Sequence, residues 1–512
     1  MKRIFRQSTV FLAALLCCVC LLAGCGDNKT SSTATPAPTD SAQTGQSAEN
    51  TPVSQEDYMG QGIFRVEGEE EEFSKLIPGT NVRLYHWWYT GPEGRDEGFL
   101  SDGLVGQHRG SVYDQLKEEY DINITFVPAQ GTDLWPTVWQ SAYAGVPIVD
   151  GMHGGGASML LDHVYYEGLE GKIIEPIDNK GIVFDDEAFW DVTQMETYAK
   201  INGKMYAFMF STIGMKKLEA NVVMFMNKNL IDNSSYTVDE IYDMVRNNEW
   251  NWDNFRQVLA AVADPDNGIY GLNYYGTVSF LGLSNGGEIV APQEIDGITV
   301  DRFIGNNNAA WKAGWDFVTG LYQQNLLTPR EGSTWDQAAM QDFSTGQTAF
   351  MINWFNRSDA ISAAAPQLEY GYLPIPNGPN TQGSGRYYSQ GPLGECFYLL
   401  KNPQNTTEDY SCILKVMKEL YRPVYGKGWE QETALWESEV ANYAKDEDML
   451  EMCNLLVDST FYPAHLKYAN MEHLVVQDTV VYPILVGETT FSQYWDSQVD
   501  VYNTMIDEAT NR

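Results

Sequence analysis

Basic residues are scarce in this sequence. Only 32 lysines and arginines oppose 69 aspartates and glutamates, which gives a formal net charge of −37. Nucleic acid and anionic lipid surfaces repel a chain with that charge, so both are poor partners for it. The six histidines form no HExxH or HxH pattern, and no CxxC occurs beyond the apolar segment of residues 10–22. We therefore predict no metal site and no cofactor.

A long apolar run is also missing at the amino terminus. The apolar segment of residues 10–22 is too short to span a bilayer as a stable helix. Basic residues precede it and Ala23 and Gly24 follow it, which predicts a secretory signal peptide over residues 1–24. Leu22-Ala23-Gly24-Cys25 resembles a bacterial lipobox. That resemblance implies lipidation of Cys25 and a membrane-anchored protein on the extracytoplasmic face. The alternative is an ordinary signal peptide with an incidental cysteine.

Residues 25–78 favour the lipid anchor. Ser, Thr, Ala, Pro and Gln dominate the stretch from residue 29 to residue 54, and such a composition buries too little apolar surface to fold. It predicts a disordered tether. Of the seven cysteines, only Cys396, Cys412 and Cys453 remain beyond the tether. At most one disulfide can then form, so packing has to supply the stability.

Apolar runs alternate with amphipathic segments after the tether. Strands are predicted at residues 82–86, 122–127 and 147–149, with helices at 111–119 and 133–144 between them. A second αβ set begins after residue 204, with buried strands at 222–226 and 349–352 and an extended crossing segment at 370–376. Tryptophans at helical spacing, namely Trp135, Trp139, Trp311 and Trp315, are predicted to be core residues. The fold class is therefore α/β with two lobes.

The order of short segments resembles family 1 extracellular solute-binding proteins, the maltose-binding-protein-like group. The matching segments are residues 81–84, 144–150, 201–207, 223–228, 251–255, 270–272, 343–351 and 373–378. Each segment alone is weak, and their shared order over about 300 residues makes the match specific. Two departures occur: Ile148 and Val149 interrupt the family's Pro-Asp segment, and residues 248–251 replace the usual Pro-x-Thr.

The resemblance implies a type II periplasmic-binding-protein clamp with a ligand cleft between two lobes. Residues 79–207 and 378–455 are expected to form the amino-terminal lobe, and residues 208–377 and 456–512 the carboxy-terminal lobe. The hinge is expected near residues 205–211 and 374–391. The function implied is capture of a sugar or oligosaccharide for the permease subunits of an ABC importer, by a monomeric protein that is not an enzyme.

Candidate ligand-binding residues follow from the strand ends, since ligands bind beyond the carboxyl ends of strands in open α/β sheets. Flat aromatic rings suit the C–H face of a sugar, and neighbouring polar groups bind its hydroxyls. The residues placed at strand ends are Trp87, Trp88, Asp150, Asn353, Trp354 and Arg357. The family resemblance adds Tyr274, Tyr275 and Phe280, which follow a Tyr-Gly-Leu segment.

A secreted α/β-hydrolase or glycan-active enzyme is the alternative function. The segment at residues 153–156 resembles an esterase oxyanion loop, and Ser284 sits in a G-x-S-x-G pattern with His465 and His473 downstream. A nucleophile elbow requires a strand, a tight turn and then a helix, whereas the glycines and proline after Ser284 predict a loop. Residues 264–268 resemble a calcium loop but fit an ordinary turn better.

Overall fold

The computed structural model describes residues 76–86, 89–101, 103–128, 134–156, 173–184, 190–201, 203–210, 218, 221–273, 276–328, 336–391, 395–421, 440–468 and 478–509. Of the predicted regions, the signal peptide, Cys25 and nearly all of the tether lie outside these residues. None of the helices in these ranges combines the length and apolar character needed to cross a bilayer. Cys396, Cys412 and Cys453 are buried, and none of the three forms a disulfide with another described residue.

The strands, in chain order, are β1 (Asn81–His86), β2 (Asn123–Val127), β3 (Gly151–Gly156), β4 (Ile174–Glu175), β5 (Lys200–Ile201), β6 (Lys204–Met205), β7 (Val222–Asn227), β8 (Tyr270–Leu272), β9 (Val290–Ile295), β10 (Ile298–Phe303), β11 (Thr348–Trp354), β12 (Tyr370–Leu373), β13 (Ser389–Gln390), β14 (Glu395–Leu400) and β15 (Thr460–Phe461).

The α-helices, in chain order, are α1 (Glu97–Ser101), α2 (Gly103–Tyr120), α3 (Leu134–Tyr143), α4 (Val192–Gln194), α5 (Lys228–Asp232), α6 (Val238–Arg246), α7 (Trp252–Val262), α8 (Thr277–Ser284), α9 (Ala309–Gln323), α10 (Asp336–Ser344), α11 (Ser358–Ala364), α12 (Thr407–Leu420), α13 (Glu447–Asp458), α14 (Asp478–Leu485) and α15 (Phe491–Ala509).

Two sheets form the centres of two lobes. The first lobe has a five-stranded sheet in the order β2-β1-β3-β14-β4, and the second has a four-stranded sheet in the order β12-β7-β11-β8. In the first sheet β1, β2 and β3 are parallel and β14 is antiparallel to β3. In the second sheet β7 is antiparallel to both β11 and β12, while β8 is parallel to β11. The predicted α/β fold with two lobes is confirmed.

Local sequence signals place several helices correctly. Thr237 closes a capping box with Glu240 at the start of α6, and the Asn251 side chain accepts hydrogen bonds from Asp253 N and Asn254 N at the start of α7. Trp139, Trp311 and Trp315 are buried as predicted, and the Trp135 side chain lies outside the described part of the chain.

One strand prediction is wrong. The strand expected at residues 147–149 begins later, at Gly151, where the chain pairs with β1. Pro147 has no N–H to donate to a sheet. The segment at 370–376, expected to be an extended crossing segment, is extended at its start, where Tyr370–Leu373 forms β12 of the second sheet. Residues 153–156, considered as an oxyanion loop, also belong to a strand, β3.

The lobe boundaries stay predictions, although several contacts favour other positions. Asn380 N donates to Asn285 Oδ1 (2.8 Å) and Thr381 Oγ1 donates to Ser284 O (2.7 Å), which ties the segment after β12 to the second lobe. Helix α13 packs against β12, and its Glu451 binds Arg246 of α6 at 2.7 Å. These contacts favour a crossing near residue 390 rather than residue 377.

Candidate functional site

Three segments that we infer to cross between the lobes are hydrogen bonded to one another. Ser389 N donates to Ser459 O and Gly391 N donates to Phe461 O, both at 2.9 Å, as β13 and β15 pair in parallel. Asn221, directly before β7, donates from Nδ2 to Thr460 Oγ1 at 2.8 Å. We call Asn221, Ser389–Gly391 and Ser459–Phe461 the crossing segments.

In both sheets the carboxyl ends of several strands lie on the side of the crossing segments. In the second sheet β8, β11 and β12 end at the edge where β7 begins, next to Asn221. In the first sheet β1, β2 and β3 end at the edge where β14 begins, and β14 follows shortly after Gly391. Because ligands of open α/β sheets bind beyond the carboxyl ends of strands, these two edges define the candidate cleft.

Trp354 and Phe280 meet at the second-lobe edge. Trp354 is the last residue of β11 and is half-buried, and its ring stands edge-to-face to that of Phe280, with centroids 6.2 Å apart. Phe280, in α8, is buried. The half-buried Arg357 follows in the 3-10 turn Phe355–Arg357. The structure therefore brings three of the predicted residues to one edge.

Asn353 and Asp150 occupy other environments. Asn353 is 1% exposed, and its Oδ1 accepts a hydrogen bond from Trp354 N at 2.8 Å. The buried Asn353 side chain therefore stabilises the end of β11. Asp150 precedes β3, at the edge of the first sheet opposite to the candidate cleft, roughly 20 Å away at the usual rise per residue. Its Oδ2 accepts from Arg83 N at 2.9 Å, and burial raises the pKa of its carboxyl.

The four remaining predicted residues, Trp87, Trp88, Tyr274 and Tyr275, lie outside the described residues. Their chain neighbours are described. His86 ends β1 at the first-lobe edge. Asn273, directly after β8, accepts a hydrogen bond on Oδ1 from Ile352 N at 2.9 Å, which ties the end of β8 to β11.

A buried polar cluster that the sequence interpretation missed supports the first-lobe edge. His86 Nδ1 lies 3.1 Å from Asp96 Oδ2, and His86 Nε2 is hydrogen bonded to the Tyr421 hydroxyl. Burial lowers the pKa of His86 to about 4, against the opposing effect of Asp96. The His153 ring lies 5.6 Å from that of His86 and stacks on Phe397. The sequence signal that could have revealed this cluster is a histidine in a predicted apolar strand.

The G-x-S-x-G pattern does not form a nucleophile elbow. Ser284 is the last residue of α8, so it closes a helix and neither follows a strand nor lies in the predicted loop. It is fully buried, and its Oγ hydrogen bonds to Leu281 O (3.0 Å) and Pro376 O (2.9 Å). His465 is buried as well, with its pKa lowered to about 3, and His473 lies outside the described residues. Ser284 has a structural role.

In the described part of the chain, no group of three or more His, Cys, Asp or Glu side chains is arranged to hold a metal ion. Asp264–Gly268, considered as a calcium loop, forms a 3-10 turn that ends at Gly268 with φ of 75°.

Known proteins with similar sequence or fold point to one family. The family model described as bacterial extracellular solute-binding protein matches residues 111–392, which is more than half of the chain. A comparison with curated proteins gives no match.

Solved structures share the fold at low sequence identity. The ABC substrate-binding protein of Listeria monocytogenes in complex with cycloalternan has a TM-score of 0.54 and 12% identity, over 84% of this chain and 99% of that one. The sugar-binding protein MalE of Xanthomonas citri has a TM-score of 0.52 and 16% identity, over 84% and 98%. The GacH receptor of Streptomyces glaucescens, solved unliganded and with acarbose, has a TM-score of 0.52 and 14% identity, over 84% and 99%.

Proposed function

The chain belongs to the bacterial extracellular solute-binding proteins, and on that premise we propose that it captures a sugar or oligosaccharide and delivers it to the permease subunits of an ABC importer. Proteins of similar fold bind cycloalternan and acarbose. We further propose that Cys25 carries a lipid that holds the protein on the extracytoplasmic face of the cell membrane, and that the protein acts as a monomer.

The observation that carries the sugar proposal is the position of Trp354. A half-buried indole at the end of β11, braced edge-to-face by Phe280, offers a flat apolar face beside the crossing segments. Such a face covers the C–H surface of a pyranose, and the guanidinium of Arg357 is a donor for its hydroxyls.

The other residues of the proposed cleft are assigned from their position in the sequence. Trp87 and Trp88 follow β1 at the first-lobe edge, and Tyr274 and Tyr275 follow Asn273 at the second-lobe edge. We keep these aromatic residues in the proposed ligand-binding set. Asp150 is left out, since it precedes β3 at the opposite edge, and Asn353 is given a supporting role.

We propose binding rather than catalysis as the role of this site. The hydrolase alternative depended on Ser284, whose hydroxyl is buried and committed to two carbonyl oxygens. A nucleophile has to reach its substrate and a general base, and Ser284 lies at the buried end of a helix.

A thermal-shift screen over mono- and oligosaccharides, followed by calorimetry, tests the proposal. A ligand at a hundred times its Kd is expected to stabilise the protein by about 2.7 kcal/mol. Trp354→Ala is then expected to weaken binding at least roughly tenfold with little change in Tm, because the ring is partly exposed.

Trp139→Ala is the matched control for that variant. Trp139 is 2% exposed and lies parallel to Tyr398 with ring centroids 6.3 Å apart. Its loss is expected to cost about 3–5 kcal/mol of stability while the affinity of the folded protein stays the same. Unaltered sugar affinity in Trp354→Ala, or turnover of the sugar by repurified protein, contradicts the proposal.

A further inference from the structure

The chain directly after the crossing segments makes a further connection between the two lobes. We call residues 462–468 the bridging segment. At its carboxyl end the Tyr468 hydroxyl donates to Asp301 Oδ2 at 2.7 Å, and Lys467 Nζ lies 3.6 Å from the same oxygen. Asp301 belongs to β10, and the 3-10 turn Ala464–Lys467 packs against β9, the other strand of that hairpin. This end of the bridging segment therefore belongs to the second lobe.

The beginning of the bridging segment contacts the first lobe. Tyr198 is fully buried, and its hydroxyl donates to Pro463 O at 3.2 Å. Tyr198 lies in the π-helix Met195–Ala199, which packs against the 3-10 turn. The chain after this π-helix is bonded to the first sheet, because Phe208 and Phe397 of β14 exchange two backbone hydrogen bonds of 2.9 and 3.0 Å. The Tyr198–Pro463 bond thus joins the first lobe to a segment that the second lobe holds.

The cleft edges stand apart in the conformation that contains this bond. The Trp354 ring is half-buried and has Phe280 of its own lobe as a ring neighbour. Among the described elements, α1 and the ends of β1 and β2 share no extensive packing with α8 or with the end of β11. The Tyr198–Pro463 bond therefore belongs to an open conformation of the clamp.

Closure of the cleft moves the first lobe against the second, and this movement displaces Tyr198 from Pro463. At 3.2 Å the bond is already longer than the usual O–H···O distance of about 2.5–3.0 Å, so a small displacement breaks it. Pro463 O also accepts from Leu466 N at 3.2 Å, so the carbonyl keeps a partner when Tyr198 moves away. The contact is therefore able to break and form again as the clamp moves.

We propose that Tyr198 is a positioning residue outside the cleft, which holds the lobes open through Pro463 and thereby sets the ligand affinity. This inference rests on the proposed function as a sugar-binding clamp. A ligand that binds the closed conformation has to shift the population away from the open one, so a bond made only in the open clamp weakens binding. Without the bond, the closed population and the affinity are both expected to rise roughly threefold.

Three tyrosine variants test the proposal. Tyr198→Phe removes the hydroxyl and keeps the ring. Tyr468→Phe removes the bond to Asp301 at the other end of the bridging segment, and we expect it to act in the same direction. Tyr113→Phe is the matched control, because the Tyr113 hydroxyl also donates to a backbone oxygen, Ile124 O at 3.0 Å, but within the first lobe.

Fluorine NMR of protein labelled with 5-fluorotryptophan measures closure without any ligand. The Trp354 signal is assigned by its disappearance in Trp354→Phe. A nitroxide is attached through a ketone-bearing unnatural residue in place of Glu97, which is exposed and follows Asp96, the hydrogen-bond partner of His86 at the end of β1. We expect the nitroxide to relax the Trp354 fluorine more strongly in Tyr198→Phe than in the unsubstituted protein.

Calorimetry with acarbose and cycloalternan measures the consequence for affinity. Tyr198→Phe and Tyr468→Phe are expected to bind roughly threefold more tightly than the unsubstituted protein, whereas Tyr113→Phe is expected to bind with unchanged affinity. A purely structural role of the hydroxyl would lower Tm and leave both the relaxation and the affinity unchanged.

Two results overturn the inference: equal relaxation of Trp354 in Tyr198→Phe and Tyr113→Phe, or sugar affinity in Tyr198→Phe that is unchanged or weaker. If Tyr198→Phe does not fold, the same comparison between Tyr468→Phe and Tyr113→Phe decides. If the unsubstituted protein binds no sugar, the proposed function is contradicted, and the NMR measurement without ligand still decides whether Tyr198 holds the clamp open.

Discussion

Asn221 and Asn273 are two buried asparagines at the same edge of the second sheet, and we expect changes in stability of different size when each is replaced by alanine. Both are at most 1% exposed. Asn221 donates from Nδ2 to Thr460 Oγ1 (2.8 Å) and more weakly to Leu456 O (3.4 Å), while its buried Oδ1 has no partner among the described residues. Asn273 Oδ1 accepts from Ile352 N in β11.

The magnitudes follow from what each substitution leaves behind. Asn221→Ala loses two hydrogen bonds of about 1 kcal/mol each but also removes an unpaired buried acceptor, whose burial costs about 1–3 kcal/mol. These contributions oppose each other, so the free energy of unfolding is expected to change by less than about 1 kcal/mol. Asn273→Ala leaves the Ile352 N–H buried without its acceptor, which is expected to cost about 2–3 kcal/mol.

Thermal unfolding followed by circular dichroism measures the difference. For a lobe of roughly 200 residues, each kcal/mol corresponds to about 2–4 °C in Tm, so Asn273→Ala is expected to unfold roughly 4–12 °C below the wild type. The Tm of Asn221→Ala is expected to stay within about 4 °C of the wild-type value. Equal losses in the two variants would show that Asn221 Oδ1 has a bound partner, and the reasoning would then be refuted.

Three further outcomes are expected. Cys25→Ser releases the protein from membranes or leaves it unprocessed; unchanged fractionation and mass contradict the anchor. Burial lowers the pKa of His465 to about 3, so the unfolded chain binds the proton at a higher pH than the folded protein does. The stability that His465 contributes above pH 6.5 is therefore lost as the pH falls toward 3, by about 1.4 kcal/mol per pH unit. His465→Gln is expected to flatten this slope in denaturation curves measured between pH 7 and 4. The cleft ligand reduces the radius of gyration in small-angle scattering, since a ligand that contacts both lobes favours closure; an unchanged radius at saturation counts against the clamp.

The sequence by itself determined the elements whose signals are local. The Thr237 capping box and the Asn251 cap depend on residues within one helical turn, so α6 and α7 were predictable. Helical spacing identified Trp139, Trp311 and Trp315 as core residues. The alternation of apolar runs with amphipathic segments predicted the α/β fold with two lobes, and the resemblance carried by the collinear segments implied the same fold.

Only the tertiary structure decided which residues meet at a site. Position beside a predicted strand placed Trp354 at the proposed cleft, but the same reasoning put Asp150 there, because period and composition do not show where a strand starts within an apolar run. Asn221 and Thr460, or Tyr198 and Pro463, are distant in the chain, and only packing brings them together. Whether a buried polar atom finds a partner depends on those non-local neighbours, so the crossing segments became visible only in the folded chain.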